Sequence, residues 1–245
     1  MLAGHRPALC GIRAARVRRA RRARTQDLAS FAGVSPDRRR EEEREAMTSP
    51  IKWAVLSVSD KTGLGELAQH LSQMGVTMYS TGGTFRALQE AGVKAVPIDE
   101  LTQFPEMLGG RIKTLHPAVF AGILARRDNA KDMETLEAHR LKPIDLVVAN
   151  LYPFREVAAR PDAQEDEIIE SIDIGGLSML RAAAKNFKNV AAVADPTDYG
   201  PLIDEMLENQ GCIPLGTRRR LAMKVFAHVA EYDAAVHRYF AKTTR

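Results

Sequence analysis

Cysteine is almost missing. The 245 residues hold only Cys10 and Cys212, too few and too far apart for a disulfide framework or a zinc site. A reducing, cytoplasmic setting is the expectation. No apolar run approaches the ~18 residues of a membrane span, so no membrane partner is expected. The phosphate-binding loop G-x-x-x-x-G-K-[ST] and the dinucleotide fingerprint G-x-G-x-x-G are both absent. Neither a triphosphate nor a dinucleotide is therefore indicated. G-x-S-x-G is also absent, which argues against a serine hydrolase. No His, Cys and carboxylate residues stand at metal-ligand spacing, and of six histidines only His116 lies among the segments discussed below.

A shortage of acidic residues is confined to the front of the chain. The formal charge of +4 invites a nucleic-acid reading, but residues 1–46 hold 12 of the 35 basic and 6 of the 31 acidic residues. The remaining 23 basic and 25 acidic residues give a body of net charge −2, so no nucleic-acid partner is expected. The front, with "RAARVRRARRAR", has no periodic apolar face. It reads as a disordered basic extension over 1–46, with an Arg-rich transit peptide as the alternative. The folded part opens near Met47 and runs to 245, and its apolar content can build one compact domain.

What is present is an alternation of strands and helices. "WAVLSVS" (53–59) is a continuous apolar run, the pattern of a strand covered on both faces. Leu64, Leu67, Leu71 and Met74 then recur at helical spacing, with Gly75 at the expected stop. "VTMYS" (76–80) reads as a second strand, followed by a short helix carrying Phe85 and Leu88 and ending near Gly92. "KAVPI" reads as an edge strand because of its proline. "IDLVVANLY" (144–152) and "VAAVA" (190–194) are further buried strands, and Leu221, Val225, Val229, Val236 and Tyr239 form one stripe of a helix over 217–240. The alternation predicts an α/β fold, a mainly parallel sheet with helices on both faces.

Ligands bind beyond the carboxyl ends of such strands, and four polar segments fall there. "SVSDKTG" carries Ser57, Ser59, Asp60, Lys61 and Thr62 out of the first strand. "STGGT" brings Thr81, Gly82, Gly83 and Thr84 to a helix start, where glycines let amides approach an anion and the helix dipole favours it. A single phosphate, as on a nucleoside monophosphate, suits this loop. "NLYPF" ends the fourth strand with Asn150 and Tyr152, which could read a base or ribose; termination by proline and packing of the tyrosine is the plainer account. "SIDIGGLSMLRAAAK" sets Asp173 before Gly175 and Gly176 at the start of a helix, either as an N-cap or as a carboxylate beside unpaired amides. Lys185 lies twelve residues beyond Asp173, about 18 Å along an unbroken helix. For both to serve one substrate, the helix must break, start later, or lend Lys185 to a partner subunit. The stretch "EMLGGRIKTLHPAVFAGILAR" (106–126) runs a glycine pair into Arg111, Lys113, Thr114 and His116. It is either a loop that brings donors to an anion or an ordinary turn with a solvated cationic edge.

Together "SVSDKTGL", "STGGT", "ELTQFPEMLGGRIKTLHPAVFAGILAR", "VVANLYPF" and "IDIGGLSMLRAAAKN" closely resemble the IMP cyclohydrolase domain, in the same order, from about Ile51 to about Phe240. That domain is the N-terminal half of a bifunctional purine-biosynthesis family whose other half is AICAR formyltransferase. The resemblance implies a methylglyoxal-synthase-like, Rossmann-type fold, a homodimer, and no metal or organic cofactor. It also implies dehydrative closure of 5-formamidoimidazole-4-carboxamide ribonucleotide (FAICAR) to inosine monophosphate. The formyltransferase half is expected to be missing from this chain, and the basic front is outside the family pattern.

By the same resemblance, Ser59, Asp60, Lys61 and Thr81 to Thr84 hold the phosphate. Arg111, Ile112 and Thr114 line the pocket, and Lys113 lies beside the carboxamide. Asn150 and Tyr152 orient the base, with Tyr152 counted among the catalytic set. The amides of Asp173, Ile174 and Gly175 face the developing oxyanion, and Asp173 and Lys185 move protons. A cluster of Arg111, Lys113 and Lys185 is expected to lower each other's pKa by like-charge repulsion. The alternatives are a methylglyoxal synthase and a non-catalytic nucleotide-sensing domain of the same fold.

Overall fold

The computed structural model describes residues 49–243; the expectation of a disordered extension over 1–46 lies outside the described residues. Five strands form one sheet: β1 (Trp53–Val58), β2 (Thr77–Ser80), β3 (Val96–Pro97), β4 (Leu146–Asn150) and β5 (Ala191–Val193). Their order is β3-β2-β1-β4-β5, and every pairing is parallel. The proline-bearing strand does lie at an edge, where a missing amide costs no ladder bond. The helices are α1 (Leu64–Gln73), α2 (Gly82–Glu90), α3 (Ile98–Thr102), α4 (Pro117–Leu124), α5 (Ala130–Ala138), α6 (Phe154–Ala159), α7 (Glu165–Glu170), α8 (Gly175–Lys185), α9 (Tyr199–Glu208) and α10 (Leu215–Thr243).

Side chains alternate across each strand, so each strand feeds two cores. Ala54, Leu56, Val58, Leu146 and Val148 pack under α1, α2 and α9 through Leu67, Leu71, Leu88, Leu202 and Met206. Val55, Val147, Ala149 and Ala192 pack on the other face under α4, α8 and α10 through Val119, Ile123, Met179, Leu180, Val225 and Val229. This is why the strands read as unbroken apolar runs. The glycine stop after α1 is also as expected: Gly75 takes a φ of 77°, and the amides of Gly75 and Val76 donate to Ser72 and Leu71 at 3.0 and 2.9 Å.

The order of strands reverses between β1 and β4, and the register sets Val58 opposite Asn150 at that point. The turn leaving β1 and the turn leaving β4 thus lie side by side, the arrangement in which open α/β sheets hold ligands.

The closest approach in the second core is made by Gly122 of α4. A Cβ there would lie 2.5 Å from the Lys142 carbonyl and 2.9 Å from Ile144 Cγ1. Gly122→Ala is therefore expected to lower stability by about 1–3 kcal/mol through forced backbone movement, read as a lower urea midpoint at unchanged slope. A midpoint equal to the parent's would show that the helix can move away freely.

Candidate functional site

Both turns at the reversal open into one cavity of 640 Å³. Ser59, Lys61, Thr81, Gly83, Thr84, Arg111, Lys113, Thr114, Asn150, Tyr152, Asp173, Ile174 and Gly175 all line it, so most of the residues singled out from sequence meet in one hollow. The placement of each differs in instructive ways.

The turn after β1 is held by a side chain from β4. Asn150 Oδ1 accepts from the amides of Ser59 and Asp60, and its Nδ2 donates to the Asp60 carbonyl at 2.9 Å. The Asn150 amide is thus committed to shaping the turn, which corrects the expectation that it reads a base. Asp60 is outside the cavity wall. Its carboxylate accepts from the Thr62 amide and hydroxyl at 2.9 and 2.7 Å, and the Thr62 hydrogen bonds lower its pKa. Ser59 and Lys61 remain toward the cavity. The Lys61 ammonium folds back to donate to the carbonyls of Val58 and Ser59, and desolvation pushes its pKa down.

Opposite lies the start of α2. Thr81 is its N-cap, with no side chain capping it, so the first amides at Gly82 and Gly83 have no partner within the helix. Both glycines are exposed. The two threonines serve the frame: Thr81 Oγ1 meets Ser57 Oγ at 3.0 Å, and Thr84 Oγ1 accepts from the Val58 amide and donates to its carbonyl at 3.0 Å. Thr84 is therefore a strut between α2 and β1 rather than a free donor.

The glycine pair of "GGRIKT" answers the choice left open by the sequence. Leu108, Gly109 and Gly110 all have positive φ, 53°, 64° and 91°, which closes a tight loop between Met107 and Ile112. Those two residues exchange backbone hydrogen bonds at 3.2 and 3.4 Å. Ile112 is consumed in this closure and lies off the cavity wall, a correction to its expected place. Lys113, the next residue, enters the cavity. Its Nζ lies 3.8 and 3.6 Å from the positions that Cβ atoms on Gly82 and Gly110 would occupy, so the ammonium lies over two glycines. Lys113 and Thr81 also wall a side cavity of 320 Å³, and Gly82 lines that side cavity rather than the main one. Arg111 pairs with Glu170 of α7 at the mouth, with side chains 64% and 56% exposed, a pair worth at most ~1 kcal/mol that an entering anion can compete for.

The fourth wall is the start of α8. Asp173 is 8% exposed and its Oδ1 accepts from the Gly176 amide at 2.7 Å. The capping account of Asp173 is thus correct as local structure, and it does not remove the residue from the cavity. Burial raises its pKa, against hydrogen bonds from the amides of Gly176, Leu177 and Tyr152 and the charge of Lys113. The Asp173 amide donates to the Tyr232 hydroxyl at 2.8 Å, which takes it out of the expected oxyanion set and leaves Ile174 and Gly175. Tyr232 itself donates to the Ser171 carbonyl at 3.1 Å. Thr114 Oγ1 lies 2.8 Å from where a Gly175 Cβ would be, so the loop between α3 and α4 and the start of α8 touch only because Gly175 has no side chain.

Lys185 lies farther off than Asp60 or Ile112. It is exposed, at the far end of an unbroken α8, and lines neither cavity. The helix neither breaks nor starts late, so within one chain Arg111, Lys113 and Lys185 form no cluster. Glu170, Ile169 and Ile172 of the wall were not anticipated. An acidic residue in the acidic run of α7 carries no local signal; only its pairing with Arg111 marks it.

Comparison with known proteins fits this geometry. Residues 63–178 match the MGS-like domain and residues 183–245 match the AICARFT/IMPCHase bienzyme. The bifunctional purine biosynthesis protein PurH of Listeria monocytogenes is 52% identical over 194 residues, which is 79% of this chain and 38% of that protein. PurH of Chloroflexus aurantiacus is 54% identical over 186 residues, 76% of this chain and 36% of that protein. The chain thus spans a little over a third of the length of these relatives. The crystal structure of ForH superposes with a TM-score of 0.69 at 37% identity, over 78% of this chain and 99% of that one.

A buried carboxyl with a raised pKa makes its own stability signature. Burial raises the Asp173 pKa in the fold, so the contribution of its protonated form is full below the unfolded value of about 3.9 and is lost as pH rises through the higher folded value. Asp173→Asn is expected to remove that loss. The thermal midpoint of the variant should gain on the parent's as pH rises through the interval just above 4; parallel midpoint curves would contradict the assignment. By motif, fold and the cavity they build together, the chain belongs to the AICARFT/IMPCHase bienzyme family, of which it carries the N-terminal, MGS-like part.

Proposed function

We propose that this chain is an IMP cyclohydrolase, closing the second ring of the purine by dehydrating FAICAR to inosine monophosphate. The observation that carries the reading is the pairing, across one cavity, of an uncapped α2 start with Ser59 and Lys61 on one side and Lys113 with Asp173 on the other. The first group suits a 5′-phosphate. The second suits a reaction that moves protons and builds transient negative charge.

The two reacting arms are already held on one imidazole, so encounter entropy is small. The carboxamide nitrogen attacks the formyl carbon and loses a proton. The formyl oxygen becomes an oxyanion and takes up a proton, then leaves as water with a second proton while the formamido nitrogen loses its own and forms the C=N bond of the new ring. The amides of Ile174 and Gly175 at the positive end of α8 suit the oxyanion. Asp173 suits proton transfer because burial brings its pKa upward, toward a working range. Lys113 supplies a donor beside the carboxamide, and Tyr152 closes the mouth. Arg111 gives up Glu170 to the entering nucleotide. No metal or organic cofactor is required by this chemistry.

Lys185 enters the mechanism only from a second copy, so the proposal includes a homodimer in which it reaches the partner's cavity. The location proposed is the cytoplasm; among the described residues no helix is long and apolar enough to cross a membrane. Fusion to a formyltransferase belongs to the PurH relatives and is proposed for the natural protein here. A nucleotide-sensing domain would use the phosphate side of the cavity and leave Lys113 and Asp173 without work.

Ultraviolet absorbance on adding FAICAR tests the reading: many inosine chromophores per chain are expected, whereas one spectral change per chain would support a sensor. Lys113→Ala should lower kcat by 10²-fold or more, on the order of a lost transition-state donor. Gly82→Val should raise the dissociation constant for inosine monophosphate, since φ at Gly82 is +40° and its missing side chain leaves room beside the Lys113 ammonium. Unchanged affinity there would count against the phosphate cradle. Lys185→Ala and Lys113→Ala, each inactive alone, should regain about a quarter of parental activity when mixed and allowed to exchange subunits, because half the dimers then hold one intact site of two. No recovery would place Lys185 within its own subunit's site, and an active Lys185→Ala would place it outside the chemistry.

A further inference from the structure

The turn that is read as the phosphate anchor is shaped from behind by a residue outside the cavity. Tyr199 is the first residue of α9 and is 4% exposed. Its ring packs on the turn itself: a Cβ on Gly63, which has φ +68°, would lie 3.3 Å from Tyr199 Cδ2. Its hydroxyl faces the side chain of Asn150, which acts on the phenol's titration. Asn150 in turn holds the amides of Ser59 and Asp60 and the Asp60 carbonyl. One tyrosine therefore touches both ends of the segment from Ser59 to Gly63, at one end through Asn150 and at the other by direct packing.

The tyrosine is itself fixed. The turn before it, Pro196–Asp198, is tied to α10 by Lys224, whose ammonium donates to Asp195 at 2.8 Å and Asp198 at 2.7 Å, and by Arg220, which reaches Asp198 at 3.3 Å. Burial pushes the phenol up to about 12, so it stays protonated across the working range of the protein.

We propose that Tyr199 is a positioning residue for anion binding: it fixes the Asn150 amide and the Gly63 backbone, and so presets the turn that presents Ser59 and Lys61 to a phosphate. This deepens the nucleotide reading of the same cavity and rests on it. A preset turn does not lose its own conformational freedom when the ligand arrives, and that saving appears as affinity. The phosphate does not react, so its anchoring is the same in ground and transition states.

Tyr199→Phe keeps the ring on Gly63 and removes only the hydroxyl, so it separates shaping from packing. The 245-residue chain carrying it is expected to fold and to show KM raised about five- to tenfold, as for one lost hydrogen bond, with kcat unchanged. Its dissociation constant for inorganic phosphate, followed by phosphorus NMR, should rise by a similar factor. Tyr199→Leu, which also removes the packing, should raise both constants further. A purely structural residue would instead reduce the fraction of active protein, lowering apparent kcat at unchanged KM; that outcome, or unchanged KM and phosphate affinity in both variants, would overturn the proposal. Tyr199-dependent phosphate binding without turnover of FAICAR would keep the anchor and sink the cyclohydrolase reading. Turnover of FAICAR with constants indifferent to Tyr199 would do the reverse.

Discussion

One side-chain amide holds the site together. Asn150 is the last residue of β4 and lies opposite Val58, the last of β1, where the sheet reverses its order. Strands there have no connecting turn between them, since the chain leaves in opposite directions. Something must join the two ends, and the backbone groups of Ser59 and Asp60 would otherwise be left unpaired beside a cavity. A buried, orphaned amide costs about 1–3 kcal/mol, and Asn150 satisfies two amides and one carbonyl at once. The bond also depends on register. A slip of one residue would turn the side chain at that position to the other face of the sheet. The apolar register of β1 against β4 thus decides whether an anion-binding turn exists.

Two helix starts face each other across the cavity, and they are finished differently. The start of α2 has no side-chain cap and two exposed glycines. The start of α8 is capped from within by Asp173, whose carboxylate takes the Gly176 amide. A fully charged, unreactive phosphate belongs at the first, because nothing there competes for the amides or repels it. The second already holds a carboxyl that burial inclines toward its neutral form. It suits a charge that forms and disappears, where a protonatable neighbour is useful and a permanent dianion is not. The difference in capping makes the two walls of the cavity chemically unlike.

The sheet, both cores and the long C-terminal helix were legible in the sequence because each rests on periodicity: runs such as "VLSV" at 55–58 and the Leu221–Val225–Val229 stripe leave few alternatives. Part of the cavity wall was legible for a different reason, that Ser59, Lys61, Thr81 and Tyr152 leave the carboxyl ends of strands, whereas Arg111, Lys113 and Asp173 lie in loops between helices. What the sequence could not show is which polar groups are already spent. Asn150, Thr84 and the Asp173 amide look like free donors in a list of residues, yet each is bonded to a neighbour distant in sequence: Ser59, Val58 and Tyr232. Glu170 and Tyr199 were missed for the converse reason. One sits in an acidic helix and the other in a packing helix, and only pairing across 59 residues with Arg111, or through Asn150, gives either a role.

Lys185 shows where a local rule outranks a motif. An α-helix rises ~1.5 Å per residue, so the ten steps from Gly175 to Lys185 set about 15 Å between the cavity wall and the lysine's backbone. The helix cannot bend to shorten this, because Met179, Leu180 and Ala183 between them are fully buried against β4 and the second core. A lysine side chain spans only about 6 Å, and this one starts from the end that points away. Any chemistry that uses both Asp173 and Lys185 is consequently a property of an assembly rather than of one folded chain. The same rigid helix that sets its positive end at the cavity wall forbids its own last residue from reaching there.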